Sequence, residues 1–349
     1  MKPLRRGYTT GACAQAAVRA AALSLGGGLE GAGRRKHARA VEIALPNGET
    51  TTFRFRLIGP GVCSVVKDAG DDPDITDGVE VVASVSPRGG GRFDVGRGEG
   101  VGLVTLDGLA VRPGRPAINP VPLRHIRAEL RSVLPAGARA VISIPGGEEL
   151  ARRTFNPRLG IEGGLSVLGT TGRVEPWSRA AYQESLLPQL DVALAAGIEA
   201  PVLVPGAKGE RAALAEGFDP RAVVHTGNYF GMMLQAARER GIGRAVLVGH
   251  ASKLAKIARG DFDTHSRRSP TPLDVIAGAA MELGLGKRKA DALSLLPTTE
   301  AAVAALAKSG DTAVLDAVAG SVRQAVASEY GIEADVLLTD GSGRVMGRA

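Results

Sequence analysis

The chain of 349 residues is longer than one hydrophobic core normally supports, so we expect two domains. Its hydrophobic content of 44% is typical of a globular protein, and its two cysteines exclude a disulfide framework. Because no run of about 18 apolar residues occurs and no apolar signal segment follows the N-terminal charges, we expect a soluble, cytoplasmic protein without a membrane partner.

The net charge of +7 comes with a marked excess of arginine, which supplies 34 of the 43 basic residues. The planar guanidinium matches carboxylates and phosphates, so this surface favours a multiply anionic ligand. A general compositional bias toward arginine explains the excess equally well. Nucleic acid is disfavoured, because long basic runs are absent and only 3% of the residues are aromatic and able to stack bases.

Residues 1–140 predict an α+β domain, since several strands occur with few helices. An Ala-rich helix follows Thr9 and Thr10, either of which can cap it, and glycines 26–28 end it. The basic segment 31–39 is typical of a mobile loop. The pair Asn47-Gly48 predicts a hairpin turn. Strands are expected at 40–45, 50–57, 62–66, 79–86 and 102–106.

Residues 141–349 predict an α/β domain with a mostly parallel, Rossmann-like sheet, because short apolar strands alternate with helices. Strands are expected at 140–144, 165–168, 202–204, 222–224, 245–248 and 336–338. Helices are expected at 175–196, 229–240, 271–284, 298–308 and 310–329. Ligands of such sheets bind beyond the carboxyl ends of the strands, and here Gly, Thr, His, Asn and Asp follow those ends.

Three stretches carry glycine, hydroxyl or carboxylate groups suited to binding. The start of the first helix, 8–11, can hold an anion or serve only as a cap. Segment 67–78 contains five aspartates, which repel one another unless a cation, an arginine or water compensates them. Segment 163–172 lets a ligand approach the backbone, although a strand with a tight turn explains its glycines equally well.

The remaining candidates are basic side chains near strand ends. Segment 225–228 follows an apolar strand and opens a helix. Segment 249–256 places two lysines three residues apart, on one helix face that either holds ligand carboxylates or is solvated. His250 and His265 lack an evident third partner, so we expect no protein metal site. We interpret segment 119–125 mainly as the start of a helix, where proline is common.

These stretches, taken in order, resemble the CbiD-type cobalt-precorrin-5B C(1)-methyltransferases. The similar blocks are Arg6-Gly7-Tyr8-Thr9-Thr10-Gly11 with Cys13, the acidic loop 67–78, Asn119-Pro120-Val121-Pro122, the loop 163–172 with Glu175-Pro176, His225-Thr226-Gly227-Asn228, Gly249-His250 with Lys253, Leu254 and Lys256, and Thr264-His265-Ser266. Two stretches depart from the family pattern, Ala251-Ser252 and 267–274.

The resemblance implies S-adenosylmethionine as methyl donor and an anionic cobalt-corrinoid, cobalt-precorrin-5B, as acceptor. Its cobalt belongs to the substrate. The candidate catalytic residues are His225 and His250. The residues assigned to the methyl donor are Gly169, Thr170, Thr171, Thr226, Asn228 and Asp72. The residues assigned to the acceptor are Thr9, Thr10, Arg124, Lys253, Lys256 and His265.

Two other functions remain open at this point. A non-catalytic corrinoid carrier would bind the macrocycle without the methyl donor. A nucleotide-dependent oxidoreductase is disfavoured, because no GxGxxG follows a strand. The sequence also leaves open whether the chain forms a homo-oligomer.

Overall fold

A computed structural model describes residues 4–26 and 39–349, which form two compact units. The first unit ends at Ala181 and the second spans Tyr182–Ala349. The boundary expected near residue 140 falls instead inside the strand Ala138–Ser143, which is hydrogen-bonded to a strand on each side in the first unit. The expected loop at 31–39 lies outside the described residues except for Arg39.

The described elements of the first unit follow one another as β1 (Gly7–Tyr8), α1 (Thr10–Leu25), β2 (Arg39–Ala44), β3 (Thr50–Gly59), β4 (Val62–Val66), β5 (Glu80–Pro87), β6 (Phe93–Arg97), β7 (Leu103–Val104), α2 (Pro120–Val133), β8 (Ala138–Ser143), α3 (Gly147–Ala151), a 3-10 helix (Asn156–Leu159), β9 (Ile161–Glu162) and β10 (Arg173–Val174).

The main sheet of this unit has six strands in the order β2-β3-β4-β5-β8-β6. Neighbours from β2 to β8 are antiparallel, whereas β6 runs parallel to β8. The hairpin predicted at Asn47-Gly48 is confirmed by the antiparallel pairing of β2 with β3. The predicted strand 165–168 is absent, and its residues make isolated bridges from Leu165 to Val101 and from Val167 to Ile118.

Helix α1 forms the centre of the first unit's core. Thr9 caps it by accepting a hydrogen bond from the Ala12 N–H at 3.2 Å, which confirms a cap predicted from the sequence. Its small side chains let it pack closely against α2 and the sheet. A Cβ on Gly11 would lie 2.7 Å from Cγ of Pro122 in α2, so this contact requires glycine.

The described elements of the second unit, together with the helix that leads into it, are α4 (Arg179–Leu186), α5 (Pro188–Ala195), β11 (Val202–Val204), α6 (Ala207–Ala215), a 3-10 helix (Pro220–Ala222), β12 (Val223–His225), α7 (Phe230–Glu239), β13 (Arg244–His250), α8 (Ala251–Ile257), α9 (Leu273–Glu282), α10 (Lys287–Ser294), α11 (Thr299–Ser309), α12 (Ala313–Tyr330), β14 (Glu333–Thr339) and β15 (Val345–Arg348).

The sheet of the second unit has the order β12-β11-β13-β14-β15. The first four strands are parallel, and β15, which the sequence did not predict, pairs antiparallel with β14. The chain is therefore a mixed α/β protein with several sheets. The helix expected over 175–196 is two helices, because Pro188 cannot donate a backbone hydrogen bond and begins α5.

None of the helices within the described ranges combines the length and apolar character that a membrane crossing requires.

Replacing Gly11 by alanine should destabilise the protein even though alanine favours helices by about 1 kcal/mol. The added methyl group collides with Pro122 and with the Leu168 carbonyl oxygen, 2.8 Å from the Cβ position, and such overpacking costs about 1–3 kcal/mol. Gly320→Ala in α12 is the matched control, since nothing lies within 4 Å of its Cβ position. Thermal denaturation should show a lower Tm for Gly11→Ala and an equal or higher Tm for Gly320→Ala. A higher Tm for Gly11→Ala would contradict the close packing.

Candidate functional site

The carboxyl ends of β12 and β13 lead into a cavity of about 530 Å³ in the second unit. Asn228 lines it from the segment after β12, and three residues of α8 line it from the segment after β13. Loop residues 264–266 and 269–271, between α8 and α9, complete the lining. The cavity thus lies at the sheet edge where the sequence placed a binding cleft, and its size is in the range of small-molecule pockets.

Lys253 supplies the cavity with a positive charge. Its Nζ donates a hydrogen bond to Oδ1 of Asn228 at 2.5 Å, and no carboxylate in the described chain lies within ion-pair distance. The side chain is partly buried, and this burial, followed by the nearby Lys256 ammonium, lowers the pKa of Lys253. A half-buried ammonium that hydrogen-bonds to an amide oxygen retains affinity for an anion.

Lys256 has a different environment although it lies one helical turn away. It is only 5% exposed, and its ammonium donates to the backbone carbonyls of Thr264 at 3.1 Å and Ser269 at 2.8 Å. Burial, then the charge of Arg259, lowers the pKa of Lys256. These two hydrogen bonds hold the loop against α8, and because Lys256 also lines the cavity, its assignment to acceptor carboxylates stays a prediction.

Thr264 is held on both sides of its backbone but not at its hydroxyl. Its N–H donates to the Asn228 carbonyl at 2.9 Å, and its own carbonyl accepts from Lys256. The residue is 2% exposed, and its Oγ1 has no hydrogen-bond partner in the described protein. An unsatisfied buried hydroxyl is unusual in a folded protein and calls for a physical explanation.

The loop that carries Thr264 is fixed by further polar contacts. Arg259 forms ion pairs with Asp261 at 2.7 Å and with Asp274 at 2.8 Å. His265, assigned to the acceptor, lines the cavity and accepts a hydrogen bond from the Arg267 N–H at 3.2 Å through Nδ1.

His250 ends β13 and caps α8. Its Nδ1 accepts from the Ser252 N–H at 3.0 Å and lies 2.6 Å from the Ser252 hydroxyl. This arrangement places the ring proton on Nε2, which donates to Glu300 at 2.6 Å. Both oxygens of Glu300 also accept from the Gly341 N–H, at 3.1 and 3.0 Å. Ser252 lines the cavity, so the imidazole is one hydroxyl away from it.

His225 ends β12 beside a second carboxylate. Its Nε2 lies 3.1 Å from Oε2 of Glu210, and its backbone N–H donates to Gln189 at 3.0 Å. The next residue, Thr226, is fully buried, and its hydroxyl donates to the Val204 carbonyl at 3.2 Å. That contact ties the ends of β11 and β12 together and occupies a hydroxyl that the sequence had assigned to the methyl donor.

Five of the assigned residues belong to the first unit near α1 and the loop after β9. Thr10 is buried and donates to the Ser166 carbonyl at 3.0 Å, while Thr9 caps α1. Gly169 has a φ of 128° and a Cβ there would lie 2.4 Å from Oγ1 of Thr9, so packing alone requires glycine. Thr170 and Thr171 are exposed, and the Thr171 hydroxyl contacts the backbone of Arg173.

The aspartates of the acidic loop are each engaged by this unit. Asp68 pairs with Arg5, Asp71 accepts from the Arg5 N–H at 2.7 Å, and Asp77 accepts from the Ala69 N–H at 2.8 Å. Asp72, assigned to the donor, accepts from the Trp177 N–H at 2.8 Å. Contacts with Arg5 and with backbone N–H groups thereby offset their mutual repulsion.

The Asp72 contact holds an unusual residue. Trp177 has a φ of 55°, the only non-glycine with a positive φ in the described chain, and its side chain is 70% exposed. Such backbone strain persists only where neighbouring contacts enforce it.

Lys67 and Asp74 form a buried ion pair in the same loop. The Lys67 side chain is 1% exposed, and its Nζ lies 2.7 Å from Oδ2 of Asp74. Burial by itself would raise the pKa of Asp74, but the Lys67 ammonium and the hydrogen bonds from Thr76 outweigh it and lower that pKa.

A second cavity, of about 820 Å³, lies on the first unit's sheet. Its lining includes the rings of Tyr8 and Phe53 and the carboxylates of Asp68 and Glu80. Arg124, assigned to the acceptor, is exposed on α2 and does not line this cavity. The described part of the chain contains no cluster of three or more His, Cys, Asp or Glu side chains suited to a metal ion.

Several residues of the site were not found from the sequence. Glu300 and Glu210 lie 50 and 15 residues from their histidine partners, and no local pattern marks either pairing. Ser252 and Thr264 lie in sequence blocks that resemble the family, but only the folded structure shows that both residues line the cavity.

Comparison with known proteins gives consistent matches. A family model described as CbiD matches residues 1–176, and another described as the CbiD C-terminal domain matches residues 263–349. A protein of Moorella thermoacetica named cobalt-precorrin-5B C(1)-methyltransferase is 44% identical over 307 residues, covering 86% of this chain and 82% of that protein. The protein of the same name from Rhodospirillum rubrum is 40% identical over 364 residues, with 99% and 97% coverage.

A solved structure also matches. The crystal structure of the cobalamin biosynthesis protein cbiD from Archaeoglobus fulgidus is 29% identical, with a TM-score of 0.41, covering 76% of this chain and 83% of that one.

The Lys67–Asp74 pair should make stability depend on pH. Because the pKa of Asp74 is lowered on folding, its contribution is complete above about pH 4, its unfolded value, and is lost as the pH falls through the folded value. Asp74→Asn leaves the Lys67 ammonium buried without its counter-ion, which costs about 3–5 kcal/mol at pH 7.

Urea unfolding at pH 7 and pH 3 measures both effects. The control is Asp94→Asn, which removes an exposed pair with Arg88 and should cost at most about 1 kcal/mol. Equal losses of stability from the two variants at pH 7 would refute the role given to the pair. The role would also be refuted if Asp74→Asn lost as much stability as the unmodified protein between pH 7 and pH 3.

Proposed function

This chain belongs to the CbiD family, and on that premise we propose that it is a cobalt-precorrin-5B C(1)-methyltransferase. It transfers a methyl group from S-adenosylmethionine to ring carbon 1 of cobalt-precorrin-5B, giving cobalt-precorrin-6A in anaerobic cobalamin (vitamin B12) biosynthesis. The observation that carries this proposal is the 44% identity to a protein of that name over 82% of its length.

The two units fit this proposal as its two domains. The first, with its six-stranded mixed sheet under α1 and α2, is an α+β domain that ends near Ala181. The second, with four parallel strands between helices, is an α/β domain of Rossmann-like character. The cavity beyond β12 and β13 is the binding position expected for such a domain.

We assign the methyl donor to the first unit's cavity. When bound, S-adenosylmethionine supplies an electrophilic methyl group on a positively charged sulfur. The rings of Tyr8 and Phe53 line this cavity and are suited to packing against adenine, whereas its carboxylates, Asp68 and Glu80, already pair with arginines. Gly169, Thr170, Thr171 and Asp72, assigned to the donor from the sequence, lie in the same unit.

His225 and His250 are the residues proposed to handle protons. Once the ring carbon has formed its new bond to the methyl group, the macrocycle carries the positive charge that left sulfur, and loss of a proton removes it. Each imidazole stands against a carboxylate, which fixes the orientation of the ring. His250 reaches the cavity through the Ser252 hydroxyl.

The activity itself is tested with purified protein, cobalt-precorrin-5B and S-adenosylmethionine under anaerobic conditions. We expect the product mass to show one added methyl group and an equivalent amount of S-adenosylhomocysteine. Calorimetry with S-adenosylhomocysteine separates the alternative, because a non-catalytic corrinoid carrier binds the macrocycle but not this ligand. Binding of the macrocycle without methyl transfer and without calorimetric heat would favour the carrier.

The proton-handling role is tested with His250→Gln. We expect single-turnover methyl transfer to slow by roughly 10²- to 10⁴-fold, the usual contribution of general acid–base catalysis, while S-adenosylhomocysteine binds as before. His125→Gln, on α2 and outside the proposed machinery, is the control and should retain its rate. Unchanged turnover in His250→Gln would remove His250 from the mechanism, and the same comparison with His225→Gln decides between the two rings.

A further inference from the structure

The cavity beyond β12 and β13 is positively charged and lined by hydroxyl groups. Its described lining contains two lysines, a histidine, an asparagine and five serine or threonine residues, and it contains no carboxylate and no aromatic residue other than His265. Only Lys253 offers this cavity an ammonium that is not already committed to backbone carbonyls. Such a lining favours an anion that accepts hydrogen bonds from both the ammonium and hydroxyl groups.

We propose that this cavity binds a carboxylate arm of the acceptor macrocycle, with Lys253 and Thr264 as its two donors, and that it excludes the methyl donor. The proposal rests on the proposed function for the identity of the acceptor. It assigns the cavity a specific chemical group, and it moves Asn228 from the donor to the acceptor, since its amide oxygen orients the Lys253 ammonium.

Thr264 provides an observation that is independent of the lysine. Its backbone is fixed from both sides, by Asn228 and by Lys256, so the hydroxyl cannot easily leave its position. That hydroxyl nevertheless has no partner in the described chain. Because Thr264 lines the cavity, a carboxylate oxygen bound against this residue would supply the acceptor that Oγ1 lacks.

Charge decides between the two ligands of the reaction. S-adenosylmethionine carries a sulfonium and an ammonium against a single carboxylate, so it is a net cation, and this lining offers it no counter-charge. Apart from His265, the lining also offers no aromatic side chain to stack on adenine. A cobalt-corrinoid intermediate carries several acetate and propionate carboxylates. A cavity of about 530 Å³ accommodates an arm and the adjoining ring edge rather than the whole macrocycle.

The first test compares Lys253→Met with Lys253→Arg. Loss of a charged hydrogen-bond donor should raise the acceptor KM by roughly 10- to 100-fold in Lys253→Met, with partial recovery in Lys253→Arg. The Kd for S-adenosylhomocysteine should stay within about twofold, because the donor binds elsewhere. Lys308→Met, at an exposed position on α11, is the matched charge control and should leave both values unchanged.

The second test uses Thr264→Val, which keeps the shape of the side chain and removes the unpartnered hydroxyl. The ligand-free variant should be at least as stable as the unmodified protein, because no hydrogen bond is lost, while acceptor binding weakens by about tenfold. A purely structural role for the hydroxyl predicts the opposite, a lower Tm and unchanged binding.

The outcomes separate this inference from the proposed function. Loss of S-adenosylhomocysteine binding in Lys253→Met with an unchanged acceptor KM would assign the cavity to the donor and overturn the inference. Unchanged values for both ligands in folded Lys253→Met would also overturn it. If the unmodified protein transfers no methyl group, the proposed function fails. The inference can still be tested in that case, because the absorbance of the macrocycle measures acceptor binding to Lys253→Met and to Lys308→Met. Equal binding by those two variants would overturn the carboxylate site.

Discussion

The buried ammonium of Lys256 must find hydrogen-bond acceptors inside the protein, because burying a charge without partners is costly. It finds them in the carbonyls of Thr264 and Ser269, on the loop between α8 and α9. This requirement fixes the loop against α8 and so creates one wall of the cavity. A lysine that the sequence assigned to the acceptor thereby also helps to build the site.

Lys253 and Lys256 are similar side chains on one helix, but they have different environments. Both lie on α8, and burial lowers the pKa of each. The Lys256 ammonium donates to two backbone carbonyls, whereas the Lys253 ammonium donates to an amide oxygen and remains accessible from the cavity. The difference arises from the loop that covers one residue and leaves the other at the edge.

Each of the two histidines at strand ends contacts a carboxylate that lies far from it in the sequence of the same unit. Glu300 comes from α11 and Glu210 from α6. The Glu300 carboxylate is itself held by the backbone of Gly341, so the orientation of the His250 ring depends on three separate segments. In the first unit the acidic loop follows a comparable rule, since its carboxylates are compensated by Arg5, Lys67 and backbone N–H groups.

Features set by neighbouring residues were accessible from the sequence. The Thr9 cap, the Asn47-Gly48 hairpin and the apolar strands ending at His225 and His250 are local, because a turn, a cap or a strand depends on a few adjacent side chains. Local pattern failed where long-range packing prevailed. Strand β8 looked like the start of a second domain, yet it pairs with β5 and β6 in the first.

The sequence by itself therefore determined the kind of groups at the site: hydroxyls, histidines and lysines after parallel strands, in the ordered blocks of one family. Only the tertiary structure decided which of those groups are free to bind. Glu300 contacts His250 although 50 residues separate them, and the Lys256 ammonium donates to two backbone carbonyls. The Thr264 hydroxyl has no partner in the described chain. The physical reason is that hydrogen-bond satisfaction depends on distances in space, which the spacing of residues along the chain does not fix.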